Sequence, residues 1–242
     1  MRIVVISATS VIARACVASW AAEGAHEFLL VGRSSDRLRS VENDLAIRFP
    51  ESKFSSFAMD MNSAAAVGSL IESLSRKPVD LALVAQGSLT EQKKASSDLA
   101  YLGEQLELNV ISATLFAEGL AGLLERQGSG TLGIIGSVAG DRGRAYNYSY
   151  GSAKAFLETY TQGLQQRFAA SRVKVSLIKP GPTATPMTSN HSGKMADPNR
   201  VAIVITAGLA KGKRVIYAPK AWRLIMFVVR SIPFGIFKRL NF

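Results

Sequence analysis

Residues 1–31, MRIVVISATSVIARACVASWAAEGAHEFLLV, decide the fold of this chain. The apolar run Arg2–Ile6 indicates a buried strand, and a short turn of small and polar residues follows it. Residues 13–22 are amphipathic with a helical period, and residues 27–31 form a second apolar run. A strand, a helix and a second strand in this order predict a parallel pair joined by a helical crossover.

The same alternation continues along the chain and predicts one doubly wound α/β domain of the Rossmann type. Its further strands are predicted at Lys53–Ala58, 81–85, 131–136 and 174–178, and its further helices at 35–49, Ala64–Leu74 and 99–124. Because these strands are apolar on both sides, we expect helices on both faces of the sheet. The domain is predicted to cover residues 1–220, and the polar stretch 189–199 is a loop that could act as a substrate lid.

The composition excludes several classes of site. The chain has 242 residues, of which 48% are hydrophobic, with one cysteine and two histidines. A single cysteine cannot form an internal disulfide or a CxxC pair, so we expect no metal site and interpret Cys16 as a small buried hydrophobe. The apolar run at the N-terminus is too short for a signal peptide, which favours a cytoplasmic protein.

Positive charge is concentrated near the C-terminus. The formal net charge is +11, and residues 210–242 contain eight Lys or Arg side chains and no acid. Because these side chains alternate with apolar and aromatic ones, residues 221–242 predict a tail that lies on the inner face of the cytoplasmic membrane rather than on nucleic acid. The segment is too short to span, and Pro233 interrupts it. The alternative is an element that covers the substrate or forms a homo-oligomer interface.

The turn after the first strand is a candidate phosphate site. A dinucleotide-binding turn usually carries glycines, and here Ser7, Val11 and Ala13 stand in their places. The free N–H groups of a helix N-terminus still suit pyrophosphate, and hydroxyls could add to them. The predicted contacts are Ser7, Thr9, Ser10, Val11 and Ile12. The alternative is an ordinary capped helix start.

The end of the second strand predicts which cofactor is used. Arg33 and Ser34 stand where an acid would bind the ribose hydroxyl of NAD. Since a guanidinium pairs with phosphate, Arg33 favours the 2′-phosphate of NADPH; the alternative is a solvated surface arginine. Asp60, after the third strand, is placed to reach the adenine edge, or else caps the next helix.

The reaction centre is predicted from Ser137, Tyr150 and Lys154. Tyr150 and Lys154 are four residues apart and share one helix face, while Ser137 follows a strand. A lysine cation is expected to lower the pKa of the phenol, which makes Tyr150 a general acid, and the Ser137 hydroxyl can hold a carbonyl oxygen. Asn109 could hold a water that returns the proton. Tyr146 and Tyr148 lack a lysine four residues later and are assigned to the substrate pocket or to packing.

The turn after the sixth strand is predicted to flank the nicotinamide ring. It contains Pro180, Gly181, Thr183 and Thr185, whose hydroxyls could bind the carboxamide or phosphate. A rigid proline-rich loop is a second interpretation, and both can hold together.

Together these residues resemble the short-chain dehydrogenase/reductase family over nearly the full length. Ser137, Tyr150 and Lys154 match the catalytic triad of the family, and Asn109 matches its fourth catalytic position. Thr185 and Arg33 match the threonine of the proline–glycine turn and the position typical of NADPH-preferring members. The stretch Ala85-Gln86-Gly87 is expected to contact the cofactor but departs from the usual Asn-Ala-Gly.

A bacterial subgroup is similar in finer detail. The turn Ser-Ala-Thr-Ser-Val-Ile-Ala, the stretch from Ser137 to Arg144 and the start of the tail resemble reductases of decaprenylphosphoryl-2-keto-ribose. The resemblance implies NADPH reduction of a polyprenyl-phosphate-linked 2-keto sugar in cell-envelope polysaccharide synthesis, with a flavin oxidase as partner. Two alternatives stay open: a soluble ketoreductase for a fatty-acyl, steroid-like or xenobiotic carbonyl, and a non-catalytic NADPH-binding scaffold.

Overall fold

The computed structural model describes residues 1–189 and 193–240. Within these residues, seven parallel strands form one sheet in the order β3-β2-β1-β4-β5-β6-β7. The strands are β1 (Arg2–Ile6), β2 (Glu27–Gly32), β3 (Lys53–Ala58), β4 (Leu81–Val84), β5 (Ser129–Ile135), β6 (Arg172–Pro180) and β7 (Val215–Ala218). The order reverses between β1 and β4, which confirms the predicted doubly wound α/β fold.

Helices cover both faces of this sheet. They are α1 (Val11–Glu23), α2 (Ser35–Arg48), α3 (Ala64–Leu74), α4 (Gln92–Ser97), α5 (Leu99–Leu106), α6 (Ala113–Gln127), α7 (Tyr148–Arg167), α8 (Pro198–Ala210), α9 (Trp222–Ser231) and α10 (Phe234–Phe237). One apolar core lies between the sheet and α1, α2 and α8, and a second lies between the sheet and α3, α6 and α7. Cys16 is buried in the first core, as predicted.

Two elements differ from their predictions. The helix predicted at 99–124 is α5 and α6, joined without a break by a π-helical segment, Glu107–Ser112. By length and hydropathy alone, Leu99–Gln127 could cross a membrane. However, Phe116, Leu120 and Leu124 are fully buried in the second core, so we interpret it as a core helix. Strand β7 was not predicted, because it is an edge strand of four residues that joins the sheet by pairing with β6.

The loop predicted at 189–199 ends earlier than expected. The Asp197 carboxylate accepts hydrogen bonds from the backbone N–H groups of Asn199 and Arg200, so α8 already begins at Pro198. Residues 190–192 of this loop lie outside the described residues. The substrate lid therefore stays a prediction.

Candidate active site

The carboxyl ends of β4 and β5 bring the predicted catalytic residues together. Ser137 follows β5 and caps a 3₁₀ turn, Val138–Asp141, by accepting from the N–H of Ala139 at 3.1 Å. Tyr150 and Lys154 lie on the first turns of α7, and the Ser137 side chain is close enough to the Tyr150 phenol to affect its pKa. The Lys154 Nζ atom lies 5.6 Å from the centre of the Tyr150 ring. Tyr146 and Tyr148 are about half exposed, and their hydroxyls contact Arg144 and Ser96 instead.

Lys154 is buried against backbone at the end of β4. Its Nζ donates to the carbonyl oxygens of Gln86 at 3.2 Å and Ile135 at 3.4 Å. Gly87 lies directly beneath it with φ of +146°; a Cβ there would be 2.7 Å from the Lys154 Nζ and 2.9 Å from the Asn109 Oδ1. Only glycine therefore leaves room for both side chains, and Gly87 forms the floor of this site.

Asn109 is held by the π-helical segment. Its Oδ1 accepts from the N–H of Ser88 at 3.0 Å, and its Nδ2 donates to the Gln105 carbonyl at 2.9 Å. The wider turn of the π-helix turns this buried side chain toward Gly87 and Lys154, and such bulges are frequent at functional sites. This places Asn109 beside Lys154, where the sequence predicted it.

The pKa of Tyr150 does not behave as the sequence predicted. Burial raises it to about 12, while the hydrogen bond with Ser137 acts in the opposite direction. Burial also lowers the pKa of Lys154 to about 8. The expected lowering of the phenol pKa is wrong because burial of the phenol outweighs the opposite effect of Ser137, while the Lys154 ammonium is directed at two backbone carbonyls. Tyr150 is therefore protonated throughout the neutral range, as a proton donor has to be.

The glycine-free turn adopts the backbone that glycines would allow. Ser7 has φ of +59°, in the left-handed region that glycine favours. Ser10 is the N-cap of α1, but its side chain makes no capping hydrogen bond, so the N–H groups of Val11 and Ile12 remain open to an anion. Thr9, between Ser7 and Ser10 in the turn, is half-buried. The predicted cofactor contacts Ser7, Thr9, Ser10, Val11 and Ile12 thus share one edge of the sheet with Ala85, Gln86 and Gly87.

Arg33, Ser34 and Asp60 lie at the carboxyl ends of β2 and β3. Arg33 is exposed, and among residues 1–189 and 193–240 it forms no ion pair. Ser34 caps α2 by accepting from the N–H of Arg37. The alternative role for Asp60, a helix cap, is wrong: it accepts from Asn62 N–H in a turn, and Ser63 caps α3.

The turn after β6 is covered by the tail. A Cβ at Gly181 would lie 2.0 Å from the Trp222 Nε1, so the indole rests directly on this glycine. The Thr183 hydroxyl is buried and donates to the Gly181 carbonyl at 2.8 Å, while Thr185 and Thr188 form a reciprocal capping box. Pro180 ends β6, and the threonine hydroxyls stabilise the turn itself.

Comparisons with known proteins agree with this geometry. A family model described as short chain dehydrogenase matches residues 1–196. The chain belongs to this family. An uncharacterized oxidoreductase of Streptomyces coelicolor is 31% identical over 98% of this chain and 95% of its own, and one of Mycobacterium tuberculosis is 31% identical over 75% and 74%. The prediction of a short-chain dehydrogenase/reductase is confirmed.

Solved structures show the same fold at low identity. A short-chain dehydrogenase from Sphingobium yanoikuyae, in complex with NADPH, has a TM-score of 0.83 at 19% identity. One from Burkholderia cenocepacia, in complex with NADP, has a TM-score of 0.84 at 17% identity. Each comparison covers 100% of this chain and 97% of the other.

A buried ion cluster in this short-chain dehydrogenase was not predicted. Lys179, at the end of β6, pairs with Asp141 and, at 2.6 Å, with Glu158, and the Tyr217 hydroxyl donates to Asp141 at 3.1 Å. Asp141 belongs to the Ser137 turn, and Glu158 lies one helical turn after Lys154. The cluster therefore ties β6 to both parts of the reaction centre. A lysine within an apolar strand was the only signal for it in the sequence.

Arg142, which follows the 3₁₀ turn Val138–Asp141, fixes the tail to that turn. Its Nη1 lies 2.6 Å from the carbonyl oxygen of Val229, 3.1 Å from that of Arg230 and 2.6 Å from that of Ile232. These are the carbonyls that the C-terminus of α9 leaves unpaired. Beneath them, Met226 and Val229 pack on Val138, the residue after Ser137. The tail is thus folded against the reaction centre, the position expected for the alternative interpretation of the tail as an element that covers the substrate.

Proposed function

We propose that this enzyme is an NADPH-dependent carbonyl reductase whose substrate is a polyprenyl-phosphate-linked 2-keto sugar, in cell-envelope polysaccharide synthesis. When bound, NADPH supplies hydride from its nicotinamide ring. The Ser137 hydroxyl holds the carbonyl oxygen, and Tyr150, which lies beside Ser137, donates the proton to it. Lys154 completes the site as a cation beside the phenol. The full triad argues against a non-catalytic scaffold.

The cofactor site fits NADPH. The left-handed Ser7 and the uncapped start of α1 leave backbone N–H groups for pyrophosphate, and Gly87 leaves space beside Lys154 and Asn109. Arg33, exposed and without an ion pair in the described ranges, suits a 2′-phosphate. The two solved relatives in complex with NADPH or NADP support the same choice.

One observation carries the lipid part of the proposal: the tail presents an apolar and basic surface next to the reaction centre. While Met226 and Val229 face the domain, Leu224 and Phe227 are 69% exposed and Phe234 is 74% exposed. The basic residues from 220 to 239 are exposed as well; they are Lys220, Arg223, Arg230, Lys238 and Arg239. Apolar and cationic side chains in this arrangement suit the boundary between headgroups and acyl chains. A lipid-phosphate substrate is found at that boundary.

These charges are sufficient for reversible binding. Each basic residue near an anionic surface contributes on the order of 1 kcal/mol, so five give about 5 kcal/mol before any apolar burial. The enzyme is therefore proposed to lie on the inner face of the cytoplasmic membrane. The resemblance to the decaprenylphosphoryl-2-keto-ribose reductases adds a flavin oxidase that supplies the keto sugar, and homo-oligomers stay open.

Co-sedimentation with vesicles tests the membrane part. Vesicles of phosphatidylglycerol and phosphatidylcholine should retain the full chain at low salt, and added salt should weaken but not abolish the binding. Phe227→Ser combined with Leu224→Ser should weaken the binding that persists at high salt, because it removes apolar contacts and leaves the basic residues in place. A matched control is Ile47→Ser, since Ile47 is 82% exposed on α2, outside the tail. If the full chain stays in the supernatant at low salt, membrane docking is wrong.

Mass spectrometry tests the substrate. The full chain is incubated with NADPH and the lipid-linked keto sugar, and a product heavier by two hydrogens is expected. A second candidate, a soluble ketoreductase, is favoured by Trp222 resting on Gly181, because the tail then serves as a pocket cover. Turnover of soluble ketones without turnover of the lipid-linked sugar, and without vesicle binding, would select that function.

A further inference from the structure

An arginine without a strong partner lies in the loop between Ser137 and Tyr150. The Arg144 Nη1 is 3.4 Å from the Tyr146 hydroxyl, and its Nη2 is 3.6 Å from the Met226 sulfur. Its Nε is buried and has no hydrogen-bond partner. No carboxylate of residues 1–189 or 193–240 forms an ion pair with it.

Two neighbouring cations have carbonyl or carboxylate partners, whereas the Arg144 guanidinium has neither within the described part of the chain. Arg142 caps three carbonyl oxygens of α9, and Lys179 pairs with two carboxylates. A phenol and a thioether are weak acceptors for a half-buried guanidinium. Such a group is stabilised by an anion that accepts from two of its N–H groups at once, and phosphate oxygens have the geometry to do so.

The position of Arg144 relates it to the reacting carbonyl. Met226, which its Nη2 contacts, also packs on Val138, the residue after Ser137. On the other side, the Arg144 carbonyl accepts from the N–H of Asn147, the residue before α7 begins. Arg144 therefore lies in the loop that joins the Ser137 turn to α7, and its guanidinium contacts the tail through Met226.

We propose that Arg144 is a binding residue for a phosphate group attached next to the carbonyl that is reduced. In a sugar with phosphate at its 1-position and a keto group at its 2-position, the phosphate is joined to the carbon beside the carbonyl. Both groups then have to be bound at one site, with Ser137 and Tyr150 on the carbonyl and Arg144 on the phosphate. This inference rests on the proposed function, and its phosphate is distinct from the cofactor phosphate assigned to Arg33.

Calorimetry with geranyl phosphate tests the site directly. The full chain is first saturated with NADPH, so that the cofactor phosphate sites are occupied. Arg144→Gln should weaken binding roughly 10- to 100-fold, as expected for loss of a charged hydrogen-bonding partner. Arg144→Lys keeps the positive charge but loses the paired N–H groups of the guanidinium, so its affinity for geranyl phosphate should lie between those of wild type and Arg144→Gln. Arg172→Gln is the control, because Arg172 is exposed at the opposite edge of the sheet, where β6 begins.

Two further probes identify the source of the anion. Geraniol lacks the phosphate and should bind no more tightly to wild type than to Arg144→Gln. Inorganic phosphate that competes with geranyl phosphate would show that the site takes free phosphate as well; if it does not compete, the site requires a lipid phosphate. Equal affinity of wild type and a folded Arg144→Gln for geranyl phosphate would overturn the proposal, as would no binding by wild type.

Kinetics separates this inference from the proposed function. If wild type reduces the lipid-linked keto sugar and Arg144→Gln has the same KM for it, the function stands and the Arg144 site is wrong. If wild type binds geranyl phosphate through Arg144 but does not reduce the sugar, the phosphate site stands and the sugar assignment is wrong. A rise in KM of roughly 10-fold or more in Arg144→Gln, with the KM for NADPH unchanged, supports both.

Discussion

Replacing Arg142 with alanine should detach the tail from the reaction centre. The Arg142 Nη1 contacts the carbonyl oxygens of three residues at the end of α9, and its guanidinium carbon lies 3.8 Å from the centre of the Phe237 ring. Without it, the C-terminus of α9 has no charged cap. Among the described residues, the apolar contacts of Met226, Val229 and their partly buried neighbours then remain to hold the tail on the domain.

The size of the effect follows from these contacts. A hydrogen bond to a charged donor contributes about 1.5–3 kcal/mol. One nitrogen carries two hydrogens, so its three contacts count as two bonds, and the partial exposure of this end of the helix reduces each to the lower limit. The contact with Phe237 adds about 0.5–1 kcal/mol. Docking of the tail should therefore weaken by about 3.5–4 kcal/mol, which is at least a 100-fold change in its opening equilibrium.

Hydrogen exchange measures that opening equilibrium. In wild type the amides of α9 should be protected, and in Arg142→Ala they should exchange at least 100-fold faster, while those of the central strands keep their rates. Arg239→Ala is the matched control, since Arg239 is an exposed arginine of the same tail. Unchanged protection of α9 in Arg142→Ala would refute the role of Arg142 in holding the tail on the domain. Equal loss of protection across the sheet would show general destabilisation instead.

Three predictions address the reaction centre and the cofactor. Tyr150→Phe should lower turnover by roughly 10²-fold or more with NADPH binding nearly intact, and near-normal turnover would remove Tyr150 from its role. Arg33→Asp should shift preference from NADPH toward NADH in steady-state kinetics, because it places a repelling acid at the phosphate position; an unchanged ratio of kcat/KM values contradicts that. The rate of reduction should fall as pH rises through about 8, where Lys154 loses its charge while Tyr150 is still protonated. Lys154→Arg should remove this inflection if it is folded and active, since arginine stays charged in this range.

The sequence predicted the sheet and the reaction centre because both depend on local patterns. Apolar runs mark the buried strands, and the spacing from Tyr150 to Lys154 places both on one helix face. The carboxyl ends of parallel strands meet at one edge, which brings Ser137 to them. Strand β7 was not predicted because its four residues form a strand through pairing with β6, which the local sequence does not reveal. The position of the tail also depends on distant contacts, above all those of Arg142.

The pKa values of Tyr150 and Lys154 also depend on contacts that the local sequence does not reveal. The spacing of Lys154 and Tyr150 indicated a charge beside a phenol, and charge alone would lower the phenol pKa. How far each group is desolvated depends on packing, which spacing does not reveal, and burial decides the direction of both pKa shifts here. The ion cluster of Lys179 was hidden for a related reason, since its carboxylates come from a turn and a helix that lie far away in sequence.

Two departures from the family pattern compensate each other in the cofactor turn. Ser7 stands where a glycine is usual, and its φ of +59° costs a residue with a Cβ about 1–2 kcal/mol. Gln86 stands where alanine is usual, is buried, and accepts a hydrogen bond from the Ser7 hydroxyl. The amide of Gln86 donates to Ser112 at 3.0 Å, and Ser112 donates to the Met61 carbonyl at 2.6 Å. A buried hydrogen bond contributes about 1 kcal/mol, so this chain offsets much of the cost of the strained turn. Changing Ser7 to glycine alone would remove the hydroxyl that donates to the Gln86 Oε1 atom. The two positions therefore have to be considered as one feature of the site.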